Sequence, residues 1–160
     1  MHKLAFSALA VLALPAMGEE AVITGNVESK CQINTDINGV FGNPTAGTLS
    51  TLPADGGVMP IIRYDVALGE AYTARVIAPN SFSTSPTLDD IVTWTADVEV
   101  SEVSDTAMSD YETDKIQYEY TSEFDLHTAG STWFKVTSKA EYGYGRSFPG
   151  GQYRAIVMAE

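Results

Sequence analysis

Apolar and polar residues alternate along most of this chain, and a period of two is the mark of strands with one face buried. Residues 23–33, ITGNVESKCQI, put Ile23, Gly25, Val27, Ser29, Cys31 and Ile33 on one side and Thr24, Asn26, Glu28, Lys30 and Gln32 on the other. The spacing predicts a first strand with a dry and a wet face, and Cys31 on the dry one. Val58, Pro60, Ile62, Tyr64, Val66 and Leu68 form a second apolar face, and the two-residue connection Gly69-Glu70 to Tyr72, Ala74, Val76 and Ala78 reads as a hairpin. Val92, Trp94, Ala96, Val98 and Val100 oppose Thr93, Thr95, Asp97, Glu99 and Ser101, the most regular alternation in the chain. Ile116, Tyr118, Tyr120, Phe124 and Leu126 continue it, and Ala129-Gly130-Ser131 then turns the chain into Phe134, Val136, Ser138, Ala140 and Tyr142. Beyond the turn Phe148-Pro149-Gly150-Gly151, residues 153–159 predict a last strand with Tyr153, Ala155, Val157 and Ala159 on its apolar side.

No helical period persists over three turns. About seven strands, with residues 47–52 as a short eighth, predict an all-β fold: an antiparallel two-sheet sandwich, immunoglobulin-like or Greek-key, with a closed β-barrel as the alternative. The longer connections are 34–57, 80–90 and 102–114. The first holds Asn38-Gly39, Asn43-Pro44 and Asp55-Gly56-Gly57, turn-forming combinations that predict an ordered excursion.

The N-terminus stands outside this pattern. His2 and Lys3, an apolar run over 4–14, a break at Pro15, and the small residues Ala16 and Gly18 before Glu19 predict a signal peptide over 1–18. The apolar run is too short to cross about 30 Å of hydrocarbon at about 1.5 Å per residue, so stable membrane insertion is not expected. Residues 19–160 then form a single exported domain, periplasmic, cell-surface or extracellular. It carries 8 basic residues against 21 acidic ones. Such a surface repels phosphate backbones and anionic head groups, and no basic stripe offsets it, which argues against nucleic acid as a partner.

Cys31 is the only cysteine. No histidine is near it in sequence and Lys30 is its only adjacent cation, so nothing marks it as a low-pKa thiolate, and it reads as a structural thiol. The order of a cysteine-bearing strand, a Gly/Pro-rich loop, hairpins, and PGGQYRAIVMAE at the end resembles small secreted pilin-type or coat-type sandwich subunits. In those a first-strand cysteine bonds one near the C-terminus. The resemblance implies a second cysteine beyond Glu160, or a member that does without the bridge. A bridge closing a loop of that length stabilises by about 4 to 5 kcal/mol in the loop-entropy picture.

Candidate chemistry is sparse. Asp110, Glu112 and Asp114 have the spacing of a calcium loop, but Lys115 stands where the sharp-turn glycine belongs and Thr121 where the bidentate glutamate belongs, so no metal site is expected. His127 is the only histidine after residue 18, it falls on a wet face, and no Gly-x-Ser-x-Gly elbow exists. The chain is expected to be no enzyme and to need no cofactor. Trp133 is out of phase with Phe134 and Val136, which turns it outward beside Lys135. With Tyr144 and Phe148 it is the candidate binding surface, able to stack on a sugar or fill a partner's pocket. The sequence thus predicts a non-catalytic exported structural or interaction protein, a pilus, coat or surface-assembly type of subunit working with protein partners or by self-assembly. A secreted carbohydrate- or small-ligand-binding module is the alternative.

Overall fold

The computed structural model describes residues 22–26, 30–67, 72–104, 115–126 and 129–160. Its strands are β1 (Cys31–Ile37), β2 (Gly42–Thr45), β3 (Thr48–Ser50), β4 (Ile61–Val66), β5 (Tyr72–Ile77), β6 (Val92–Val103), β7 (Lys115–Tyr118), β8 (Thr121–Leu126), β9 (Gly130–Tyr142) and β10 (Met158–Ala159). One 3-10 turn, Pro53–Asp55, is the only helical element among the described residues. The strands form two antiparallel sheets that do not close into a barrel. The predicted signal peptide, residues 1–18, lies outside the described residues.

The first sheet is organised on β9. Its residues 132–142 pair with β6 along one edge. The other edge is shared end to end: β3 pairs with 139–141 and β4 with 130–135. β3 and β4 are therefore two lengths of one rail, bridged by the Thr51 and Val136 amides, which donate to the Ser138 and Pro60 carbonyls at 2.9 and 3.1 Å. The chain leaves this rail between them, passes through the 3-10 turn, and returns. Gly56 ends the turn at φ 78°, and a Cβ on Gly42 would collide with the Asp55 carbonyl and the Gly56–Gly57 backbone, so close approach requires glycine there. β1 and β2 lie outside β4 and β3, respectively. The second sheet runs β10-β5-β8-β7.

The inner faces of the two sheets meet in the core. Ile62, Tyr64, Val66, Val98, Phe134 and Val136 from the first sheet pack against Ala74, Val76, Ala78, Phe124 and Leu126 from the second. Phe134 sits edge-on to Tyr64, with ring centroids 5.4 Å apart, and 4.5 Å from Phe124. The predicted apolar phases of β4, β5, β6, β8 and β9 agree with this burial.

Four expectations need correction. The first strand begins at Cys31 rather than at 23; Val22 and Ile23 are 83 % and 96 % exposed. Tyr72 and its strand do not form a hairpin with β4: β4 lies in one sheet and β5 in the other. Two strands that each bury alternate residues show the same pattern whether they pair side by side or face each other across a core, so alternation alone could not decide. Residues 116–126 are two strands, since Glu119 at φ 46° and Tyr120 make a tight turn without glycine or asparagine. That turn leaves Ile116 and Tyr118 exposed. Finally, only Met158 and Ala159 of the predicted last strand are laddered. The expected excursion 34–57 is ordered, but part of it is built into the first sheet, as the end of β1 and as β2 and β3.

Phe134→Ala is expected to destabilise the fold by about 3–5 kcal/mol in chemical denaturation, whereas Ile116→Ala on the exposed edge should stay within about 0.5 kcal/mol. Equal effects would contradict the core assigned here.

Candidate functional site

Residues 153–159 have the burial of a strand, but 155–157 lack the pairing of one. Tyr153, Ala155, Val157 and Ala159 are half-buried, and Arg154, Ile156 and Met158 are exposed. Arg154 bridges Thr84, and Glu160 exchanges both backbone hydrogen bonds with Arg75, at 2.8 and 2.9 Å. Between these anchors the backbone of Ala155, Ile156 and Val157 makes no hydrogen bond among the described residues. An extended backbone with unpaired N–H and C=O groups is a template for another strand.

A groove of about 610 Å³ runs beside this segment. Residues 153–157 line it together with Thr35, Asn38, Gly39 and Val40, and Leu49, Ile62, Thr51 and Ser138 also border it. Along the groove the core divides in two. Val136 and Ile62 belong to the main cluster, whereas Leu49, Trp94 and Ala140 form a second, with Phe41, Phe82, Phe148 and Tyr153 packed around it. The inward side of β1 is correspondingly uncovered: Ile33 is 40 % exposed although its register partner Tyr64 is 1 % exposed.

One end of the segment is fastened by Tyr64, whose hydroxyl lies 3.0 Å from the Arg75 carbonyl oxygen and 3.2 Å from that of Glu160. Burial holds this phenol well above its usual pKa, and the Cys31 thiolate adds to the effect. Arg75 also binds the Glu123 and Glu160 carboxylates, at 2.7 and 2.9 Å. Cys31 opens β1 and packs half-buried against the main cluster. Its thiol pKa is pushed up by burial and then by Asp65, the reverse of an activated nucleophile.

The sequence-predicted trio is not brought together. Trp133 does turn outward, but its indole N–H donates to Asp36 at 2.8 Å and the Arg63 guanidinium lies 5.9 Å from its ring centroid. Arg63 is held in turn by Asp36 and Asp65, each at 3.1 Å. Phe148 is packed among Tyr142, Phe82 and Tyr153. Tyr144 is fully exposed past the far end of β9, roughly 30 Å along the strand from Trp133 at about 3.3 Å per residue. His127 and the Asp110, Glu112 and Asp114 trio lie outside the described residues. Among the described residues no three or more His, Cys, Asp or Glu side chains gather as a metal site, and no helix is long and apolar enough to cross a membrane.

Sequence reasoning missed the groove. One sign near it was visible: the inner face of β9 carries the small polar Ser138 between Val136 and Ala140. Comparison with known proteins finds no matching family model, no similar curated protein and no similar solved structure.

Removing the fastening hydroxyl by Tyr64→Phe is expected to destabilise by about 1–3 kcal/mol in urea. Because the folded-state pKa is raised, the neutral phenol's contribution is complete below the unfolded value of about 10 and fades as pH rises above it. The wild-type urea midpoint should therefore fall more steeply above pH 10 than that of the variant; parallel curves would exclude the assignment. Iodoacetamide should alkylate Cys31 more slowly in the native protein than in urea.

Proposed function

We propose that this protein is a non-catalytic, exported assembly subunit that joins other copies of itself by adding a strand to its open groove. The observation that carries this reading is the 155–157 backbone, extended, with side chains alternately half-buried and exposed, and without a hydrogen bond among the described residues, beside a groove of about 610 Å³ with a mixed polar and apolar border. Strand addition uses main-chain hydrogen bonds for affinity and pockets for alternate side chains for specificity, and both are on offer here. Exposed Val22 and Ile23 are further apolar surface that a second chain would cover. In this reading the two sheets are an immunoglobulin-like, Greek-key sandwich open on one side, as suits the pilin-type and coat-type subunits whose layout the chain resembles. The predicted leader supports a location in the periplasm, on the cell surface or outside the cell.

A second reading, a small-ligand or carbohydrate module, is favoured by the groove's volume, which falls in the range of ligand pockets. Its earlier centre, Trp133, is unsuited to stacking on a sugar while Arg63 and Asp36 engage the indole.

Size-exclusion chromatography with light scattering, over a concentration series, separates the two. Assembly predicts mass that grows with concentration, and Thr35→Arg, an exposed position on the groove wall, should weaken association at least about tenfold, or about 1.4 kcal/mol. A monomer at every concentration that binds glycans would sink the assembly reading.

A further inference from the structure

Two irregularities of this chain match each other. Residues 23–33 carry the alternation of a strand with one buried face, yet the first strand of the fold begins at Cys31. Val22, Ile23, Thr24, Gly25 and Asn26 are all exposed, belong to neither sheet, and make no hydrogen bond among the described residues. A Cβ on Gly25 would meet nothing within 4 Å. Val22 and Ile23 are β-branched and almost wholly in water, and removing their apolar area from it is favourable. The segment has the side-chain pattern of a strand and no sheet to belong to.

The groove is the converse, a gap with backbone to offer and no strand in it. The 155–157 backbone is without hydrogen bonds among the described residues, and β1 is the terminal strand of its sheet. In a ladder Ile23, Gly25 and Val27 would share one face, and Glu20, Val22, Thr24, Asn26 and Glu28 the other. Arg154 is the only charged side chain lining the groove, and from Glu19 to Glu28 the chain holds no cation, so the charges suit each other. The molecule's own segment lies elsewhere. The Lys30 carbonyl accepts from the Ala67 amide at 2.8 Å, so the chain enters β1 already bonded to its neighbour at the Cys31 end, whereas the residues of β1 and beyond that line the groove start at Thr35. With 22–26 exposed, the groove is left to the segment of another copy.

Resting on the assembly reading, we propose that residues 22–26 of one copy are the strand that fills the groove of the next, laddered on 155–157 with Ile23 and Gly25 turned inward. The contact is heterologous: each copy offers one segment and one groove, so copies join head to tail, as a ring or a filament. Alternation fixes which face enters, since a slip by one residue would turn Thr24 and Asn26 towards the groove and Ile23 back into water.

The test uses the full chain, expressed with its leader, and two variants at exposed positions whose urea midpoints should match the wild type. Ile23→Asp spoils the segment and spares the groove, because a carboxylate carried into the groove has no partner there; Thr35→Arg does the reverse. Each alone should lose at least about tenfold in self-association by light scattering. Mixed, the two should form a one-to-one heterodimer and nothing larger, since one sound segment and one sound groove remain, on different molecules. A labelled peptide of residues 20–28 should bind the Ile23→Asp protein in fluorescence anisotropy, and a scramble that breaks the alternation should not. Wild-type association in Ile23→Asp with weakened association in Thr35→Arg, no heterodimer in the mixture, or equal binding of peptide and scramble overturns the inference and leaves the assembly reading standing. Association unchanged in Thr35→Arg, whatever Ile23→Asp does, or a wild-type monomer at every concentration, overturns both.

Discussion

The structure depends on the double pairing of β9. Its inward residues from Thr132 to Tyr142 are all buried, and both of its backbone edges carry partners along most of its length. A strand in that position is fixed by hydrogen bonds in the plane of the sheet and by apolar contacts perpendicular to it, so it sets the register of everything beside it. β6, β4 and β3 take their places from it, and β1 and β2 from those. The second sheet is attached differently, through side chains such as Phe124 and Leu126 pressed onto Phe134 and Val136. Ser138, between Val136 and Ala140 on β9, marks where the main cluster gives way to the second.

Much of the fold was legible because alternation reports directly which side chains are buried. The apolar residues named for β4, β5, β6, β8 and β9 lie in or against the core. Pairing was not legible in the same way, because burial of every second residue says nothing about which backbone lies alongside. That is why residues 64 and 72 were expected on neighbouring strands and are found on opposite sheets, and why 153–157 has a strand's burial without a ladder. The Tyr118-Thr121 turn was missed for a local reason: Glu119 adopts a left-handed conformation usually left to glycine or asparagine. The groove was hidden because it arises between segments far apart in sequence, 35–41 and 153–157. Trp133 was correctly placed outward, but its engagement by Arg63 and Asp36 depends on cross-strand neighbours that a single strand's pattern does not reveal.

The outer face of the first sheet and the groove contrast in a way that bears on function. On the outer face polar groups satisfy one another: Asp65 alone receives Arg63, Asn34 and Ser131, at 3.1, 2.9 and 2.6 Å. Such a surface has little left to offer a ligand. At the groove the reverse holds: the backbone of 155–157 makes no hydrogen bond among the described residues.

The split rail formed by β3 and β4 has a consequence for how such a chain can vary. Its two halves are each registered on β9, and the 52–59 detour between them lies off the sheet. An insertion in the detour would be absorbed there, leaving both halves in phase, whereas one residue added within either half would reverse its inside and outside. The detour is therefore a place where sequence length is free to drift, and because Thr51 and Pro60 at its two ends line the groove, the groove's border could diversify while the framework stays constant.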